Sequence, residues 1–412
     1  LTFVQQDRSA RRGSLVRFAT PSPEQVISRH GKLCKYVQYY RVFELDFCIR
    51  SDSPRILSYF KKMYSHFIVP PPDKPVVTNY VIETPVVRGN PVVVADDKVY
   101  VVSNPDIFPG FSYMTIFNSF IAKLQNHFLI HSGAVGFKGN GIIIPGAARC
   151  GKTTVTLSLI GRGFSLFSDE VAAIHWLDHK VYPFPRGLGM REGVEHTFKG
   201  IDLEGLETIP MIGGGFKRVL DIGELKGALA TEPSPAKFIF FLVPSADEDF
   251  SQASSAAILY LITSEVSDKM LSEMRAVDGV ESTEVTGDTS DAKFPIIRFR
   301  VQSGYPVLAK LEEVCYKHNV LIFDTVKGEH AQPDFSGPPR LTPMPYSRAM
   351  FELLTRSRTG ARSALLTNQF KGSVTKMYLA LADIVRKTKC YELVVGKLDD
   401  MIDMIEETVS AG

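Results

Sequence analysis

The stretch GAARCGKTT at residues 146–154 constrains this chain more than any other feature. From Gly146 to Thr153 it satisfies the pattern G-x-x-x-x-G-K-[ST], and it lies between the apolar run GIIIP (141–145) and the amphipathic stretch TTVTLSLIGRG (153–163). Glycines at both ends let the backbone bend until consecutive N–H groups point inward, and a helix starting directly afterwards adds its positive N-terminal end. A buried strand before the loop and a helix after it are what a phosphate cradle requires, so the motif predicts a strand–loop–helix unit and an α/β fold. In this reading Gly146, Ala147, Ala148, Arg149, Cys150 and Gly151 wrap the phosphates of ATP, and Lys152, Thr153 and Thr154 open the helix. Lys152 reaches the β- and γ-phosphates, and the Thr153 hydroxyl coordinates Mg²⁺. The competing reading, a structural turn, is disfavoured by the flanking strand and helix. Cys150 reads either as a redox-sensitive thiol at a helix N-terminus or as a small filler, and with no resolving cysteine nearby the filler is favoured.

The segment FSLFSDEV (164–171) resumes strand character after the helix and ends on two carboxylates, Asp169 and Glu170. A Mg²⁺-nucleotide site needs an oxygen ligand for the cation and a base for the attacking group, and this pair can supply both. Acidic residues at strand ends are otherwise solvated turn residues. His131, on the strand preceding the cradle's own, reads equally as a structural or a functional residue on position alone.

At 412 residues the chain has room for two or three domains, and 44% apolar against 22% charged residues is the balance of a globular protein. A net charge of +2 gives no global field that would argue for nucleic acid or an anionic membrane surface. Five scattered cysteines point to neither a disulfide framework nor a zinc site. The longest apolar runs, such as FIFFLV (238–243), fall far short of a membrane span, so a cytoplasmic protein is expected.

Residues 1–35, basic and acid-poor, read as a flexible arm. Residues 36–110 read as a small α/β domain: a strand at 36–50, a helix at 53–67, the connector VPPPDKP (69–75), a strand at 74–87 and a hairpin at 90–103 turning on Asp96-Asp97. Residues 111–250 form the P-loop core, entered by a helix at 115–128 with Ile116, Phe117, Phe120, Ile121, Leu124 and Phe128 on one stripe. A Gly-Asn turn in KGNG (138–141) then joins the two strands before the cradle. Between 251 and 329 the order strand, helix, strand, strand, helix, strand spells a split βαβ unit, an inserted ferredoxin-like domain. Residues 330–412 complete the core: the linker QPDFSGPPRLTPMP (332–345), two or three helices, the strand KCYELVVG (389–396) and the amphipathic LDDMIDMIEETV (398–409).

Taken together, IHSGAVGFKGNGIIIPGAARCGKTTVTLSLIGRGFSLFSDEVA (130–172) and RGLGM (186–190) resemble the catalytic core of the HPr kinase/phosphorylase superfamily, whose fold is related to phosphoenolpyruvate carboxykinase. The resemblance covers roughly 115–245 and, more weakly, 340–409. It implies an ATP- and Mg²⁺-dependent kinase that transfers the γ-phosphoryl group to a hydroxyl, a serine of a protein or peptide. Arg162-Gly163, His131, Lys152, Thr153 and Arg186-Gly187-Leu188-Gly189 fall where the family has its counterparts. Carried over, Lys152 sits on the phosphates, Thr153 and Asp169 at Mg²⁺, Asp169 or Glu170 as the base and His131 near the reacting phosphate, while Arg186 and Arg191 neutralise transferred charge. Three departures stand out: Glu170 where the family has a second Asp, Phe184 where it has an acidic residue, and the 36–110 and 251–329 units, which have no counterpart in the carbon-catabolite regulator. The expected acceptor is therefore a protein or peptide other than HPr, with a small molecule or a nucleotide-gated scaffold role as alternatives. No nucleic acid or membrane partner is expected, and homo-oligomerisation is left open.

Overall fold

The computed structural model describes residues 16–19, 34–73, 76, 78–84, 90–95, 98–102, 108–146, 150–191, 206–210, 216–225, 227–243, 257–263, 266–286, 295–301, 304–318, 320, 322–327, 335–356 and 374–412. Among these, four sheets with helices against them make a mixed α/β protein.

The first sheet joins β1 (Val16–Ala19), β2 (Tyr36–Val42), β3 (Leu45–Ser51), β4 (Ile68–Val69), β5 (Thr78–Glu83), β6 (Val92–Ala95) and β7 (Lys98–Val102) in the order β1-β7-β6-β5-β3-β2-β4. Part of the arm expected to be flexible is thus a strand, paired antiparallel with β7. The run expected as one strand at 36–50 is a hairpin, with Val42 opposite Leu45 and Phe43 at a positive φ of 53°. A bulky residue in the left-handed region costs about 1–2 kcal/mol. Packing offsets it, because the Phe43 ring stacks on His127 at 3.9 Å and meets Tyr182 and Phe184. The alternation of residue types ran through this turn without a glycine to mark it.

The helix Pro54–Met63 starts where Ile56 N donates to the Ser53 hydroxyl and proline fills the first turn. The helix expected at 115–128 runs instead over Phe108–Ile121. Leu124 and Phe128 remain fully buried, so the apolar stripe survives while the backbone turns extended, and Phe128 belongs to the next strand. One apolar cluster runs from Tyr40 through Val102, Phe111 and Phe120 to Leu129, Val171 and Phe184. The boundary placed at 110 therefore falls inside a single core. The Asp96-Asp97 turn and the Lys74-Pro75 end of the connector lie outside the described residues.

The second sheet begins with β8 (His127–Phe137) and β9 (Asn140–Pro145), joined by Lys138 and Gly139, both at positive φ. The turn is thus one residue earlier than the expected Gly-Asn, and Asn140 already pairs with Phe137. Then come β10 (Ser165–Ser168), β11 (Val171–His175) and β12 (Lys180–Tyr182). The strands β13 (Leu188–Arg191), β14 (Glu207–Pro210) and β15 (Phe216–Leu220) form a small antiparallel sheet, with β15 in the middle. β16 (Ser234–Val243) returns to the main sheet, where pairing runs β8-β11-β12-β16-β9 and back to β8, so five strands close on themselves.

The fourth sheet holds β17 (Ala257–Thr263), β18 (Val280–Thr286), β19 (Ile296–Val301) and β20 (Ile322–Lys327) in the order β18-β19-β17-β20, every neighbour antiparallel. Met270, Leu271 and Met274 of the helix Asp268–Arg275, with Val307, Leu311 and Cys315 of the helix Gly304–Lys317, share its core with Leu261, Ile297 and Phe299. The stretch expected as a linker at 332–345 contains β21 (Arg340–Pro343), an edge strand on β22 (Lys389–Val394), where a terminal proline is tolerated because no neighbour needs its N–H. Among the described residues no helix is long and apolar enough to cross a membrane.

Where the first two sheets meet, His127 is buried against Phe43, His175 and Tyr182, and neither of its ring nitrogens has a hydrogen-bond partner among the described residues. Burial pushes its pKa down from 6.5 to about 4, opposed by the Glu44 carboxylate 3.9 Å away and by Asp178, and helped by His175. Because the folded value is the lower one, the unfolded chain takes up the proton first, and stability is lost as pH falls from 6.5 toward 4. Lowering the pH from about 7.5 to about 5 is expected to cost about 2 kcal/mol through this residue. Urea unfolding at the two pH values checks it, and His127→Phe should remove that part of the acid sensitivity.

Candidate functional site

β9 ends at Pro145, and Gly146 forms a parallel bridge to Leu242 on β16. Ala147, Ala148 and Arg149 lie outside the described residues. Cys150 is buried in an apolar cluster with Val155, Leu159 and Ile402, the position of a filler. Gly151, at φ 79° and ψ 18°, caps the helix Lys152–Gly161, and Val155 N donates to its carbonyl at 2.8 Å. A side chain at 151 would need that left-handed backbone and would also meet the Phe335 ring at 3.1 Å. Lys152 is buried, and its ammonium donates to the Gly146 carbonyl at 3.0 Å, so the side chain reaches back from the helix start to the end of β9. Thr153 and Thr154 follow on the first turn, both half-buried.

The helix approaches β8 closely because Gly133 has no side chain: a Cβ there would lie 2.0 Å from Thr156 Oγ1. That closeness sets how far the helix N-terminus stands from the sheet. At the far end, Arg162 pairs with Asp403 at 3.0 Å and Glu406 at 3.4 Å on the helix Leu398–Ala411.

The carboxylates come from the other side of β8. β10 and β11 both run antiparallel to it, with Ser168 opposite Ala134 and Val171 opposite His131, and Asp169-Glu170 form the break between them. The Ser168 hydroxyl accepts from Glu170 N at 3.4 Å and Val171 N at 3.1 Å, while Ser132 N donates to the Glu170 carbonyl at 3.2 Å. Ser132 also pairs with Pro145. His131 and Ser132 thus lie between the cradle's mouth and the acidic turn, two strand spacings, roughly 10 Å, apart. Asp169 is buried at 6% exposure. Ser168 was missed in the sequence, although a serine directly before two acids is a turn signal in its own right.

Glu170 has a different environment. It is ion-paired with Arg186, which is buried and lies over the rings of Phe117 at 4.8 Å and Tyr113 at 5.6 Å. Phe184 N donates to the Phe167 carbonyl at 2.9 Å, which carries the segment before Arg186 alongside β10. Phe184 itself is buried against Phe67 and Phe43, so the position where the resemblance implies a metal-binding carboxylate is core. Arg191 is described only as backbone, paired with Lys217 on β15. Nothing local in the sequence marks Phe117 and Tyr113 beyond their aromatic character, because the guanidinium they face is distant in sequence.

Gly187 shows how tightly this segment is seated: its N–H donates to the Met63 carbonyl at 2.8 Å, and a Cβ would lie 2.9 Å from Lys62 O and 3.1 Å from Met63 Cα. Backbone atoms cannot move aside cheaply. Gly187→Ala is expected to destabilise the fold by about 1–3 kcal/mol, measured as a lower Tm.

No protein-family model and no curated protein matches the chain. Among solved structures, an HPr(Ser) kinase/phosphatase from Coxiella burnetii is 19% identical over 29% of this chain and 67% of its own, with a TM-score of 0.17. A TM-score that low carries no argument about fold or activity.

Proposed function

We propose that the chain is an ATP- and Mg²⁺-dependent kinase that transfers the γ-phosphoryl group to a serine hydroxyl of a protein or peptide. The observation that carries this reading is the Lys152 ammonium on the Gly146 carbonyl, at a helix N-terminus capped by Gly151. A buried cation that donates to a carbonyl of its own motif at a helix N-terminus is placed to meet phosphate oxygens. Thr153 and Asp169, oxygen donors of the kind magnesium takes, are its candidate ligands. Magnesium bound there would neutralise phosphate charge and orient the triphosphate.

In the transfer, the serine oxygen bonds to the γ-phosphorus while the bond from that phosphorus to the β–γ bridging oxygen breaks and ADP departs. The hydroxyl proton goes to a carboxylate. Asp169 is taken as the acceptor, with Glu170 paired to Arg186 beside it. His131 stands beside the acidic turn, and the loop amides with Lys152 hold the charge that develops on the transferred group.

The test is incubation with γ-labelled ATP and Mg²⁺ in the presence of a lysate or candidate peptides, read by mass spectrometry for new phosphosites. A labelled serine in a discrete partner is the expected result. Nucleotide consumption without a labelled macromolecule would move the acceptor to a small molecule. Binding without consumption would favour the nucleotide-gated scaffold, the reading that the apolar Phe184 supports.

A further inference from the structure

The 36–121 region reaches the candidate site around Arg186. A buried guanidinium needs both charge compensation and a surface to lie on. Glu170 supplies the first. The second comes from the helix Phe108–Ile121, whose Phe117 and Tyr113 rings face the guanidinium. Tyr64, just past the helix Pro54–Met63, is fully buried, stacks on Tyr113 at 5.8 Å and lies within electrostatic reach of both Arg186 and Glu170. The next residue, Gly187, is locked by its hydrogen bond to Met63 and has no space for a side chain. The Arg186–Gly187 pair is therefore gripped by elements that are remote in sequence from the phosphate loop.

We propose that Phe117 and Tyr113 are positioning residues for phosphoryl transfer: their rings hold the Arg186 guanidinium, Arg186 holds Glu170, and the acidic turn so fixed presents Asp169 to the cradle. The inference rests on the kinase reading for its chemistry, though not for its geometry. It makes the 36–121 region part of the catalytic apparatus without giving it any contact to nucleotide. Flat aromatic faces suit a planar guanidinium in a way that an aliphatic side chain of similar volume does not.

Phe117→Leu and Tyr113→Leu remove a ring face while keeping an apolar side chain, and Tyr113→Phe keeps the face and removes a hydroxyl that has no hydrogen-bond partner among the described residues. Each leucine variant is expected to lower kcat by about tenfold or more, as small misplacements of catalytic groups do, with ATP affinity by calorimetry within about twofold of wild type. Tyr113→Phe should recover the wild-type kcat. Proportional losses of kcat and ATP affinity, or an unchanged kcat in both leucine variants, would overturn the proposal. A second readout does not depend on turnover: modification of Arg186 by phenylglyoxal, mapped by mass spectrometry on the folded full-length chain. Modification should be slow in wild type and Tyr113→Phe and several-fold faster in either leucine variant, and equal rates in all four proteins sink the positioning role. A wild-type protein that binds no ATP would remove the kinase reading alone, with the labelling rates still deciding whether the rings hold Arg186.

Discussion

Lys152→Ala is expected to abolish detectable phosphoryl transfer and to weaken ATP binding by about 100-fold or more, because it removes the cation that lies on the Gly146 carbonyl at the helix N-terminus. The alanine leaves the Gly146 carbonyl without its 3.0 Å donor, so the loop loses a cross-brace as well as a charge. Asp169→Asn should behave differently. It preserves size and removes the proton acceptor, so kcat should fall by about 10²–10⁴-fold with a much smaller change in ATP affinity. Glu170→Gln breaks the ion pair with Arg186 rather than the acceptor itself and should fall between wild type and Asp169→Asn. Calorimetric titration with ATP and Mg²⁺, beside labelled-phosphate transfer, separates the three. If Lys152→Ala binds ATP as wild type does, the loop is a structural turn and the kinase reading fails. If Glu170→Gln is the inactive variant and Asp169→Asn is not, the roles of the two acids are reversed.

Gly133→Ala carries the largest expected effect on stability. The new methyl would stand 2.0 Å from Thr156 Oγ1 and 3.3 Å from its Cβ, with a paired strand on one side and a helix on the other. The strand cannot retreat without breaking its ladder, and the helix can retreat only by giving up its packing on β8, so a loss of about 3 kcal/mol or more is expected, seen as a drop in Tm. The Thr156 hydroxyl is buried with no hydrogen-bond partner among the described residues, which makes it an informative second site. Thr156→Ala alone should be close to neutral, since the hydroxyl it removes is already unsatisfied. Combined with Gly133→Ala it should recover much of the loss, because the nearest atom to the new methyl is gone. A double variant no more stable than Gly133→Ala would show that the closeness of helix and strand, rather than the hydroxyl, is the constraint. In either case ATP affinity should follow stability, since Gly133 and Thr156 set the stand-off of the helix whose first residue is Lys152.

Legibility followed the range of the interactions. The helix Lys152–Gly161 and the strand before the cradle could be read from the chain because glycine geometry, apolar runs and helix stops act over a few neighbouring residues. The strand and helix alternation at 257–327 was equally plain, since each element has its own period. Misreadings arose where burial and backbone state parted. Phe128 kept its place in the apolar stripe but left the helix for β8, and Phe43 turned a hairpin with none of the usual turn residues because His127 and Phe184 lay ready to pack on it. The proline-rich 332–345 hid an edge strand, because an edge demands half the hydrogen bonds of an interior one.

The sequence by itself determined that residues 146–154 lead from a strand into a helix with Lys152, Thr153 and Thr154 at its start, because those requirements are met within nine contiguous positions. It also placed two carboxylates on the next strand break. Only the tertiary structure gave the two different surroundings, since Arg186 reaches Glu170 through a fold that brings residues 113, 117, 170 and 186 together. The physical reason is that a buried charge is stabilised by whatever surrounds it in space, and no local pattern along the chain records which rings and which acid those will be.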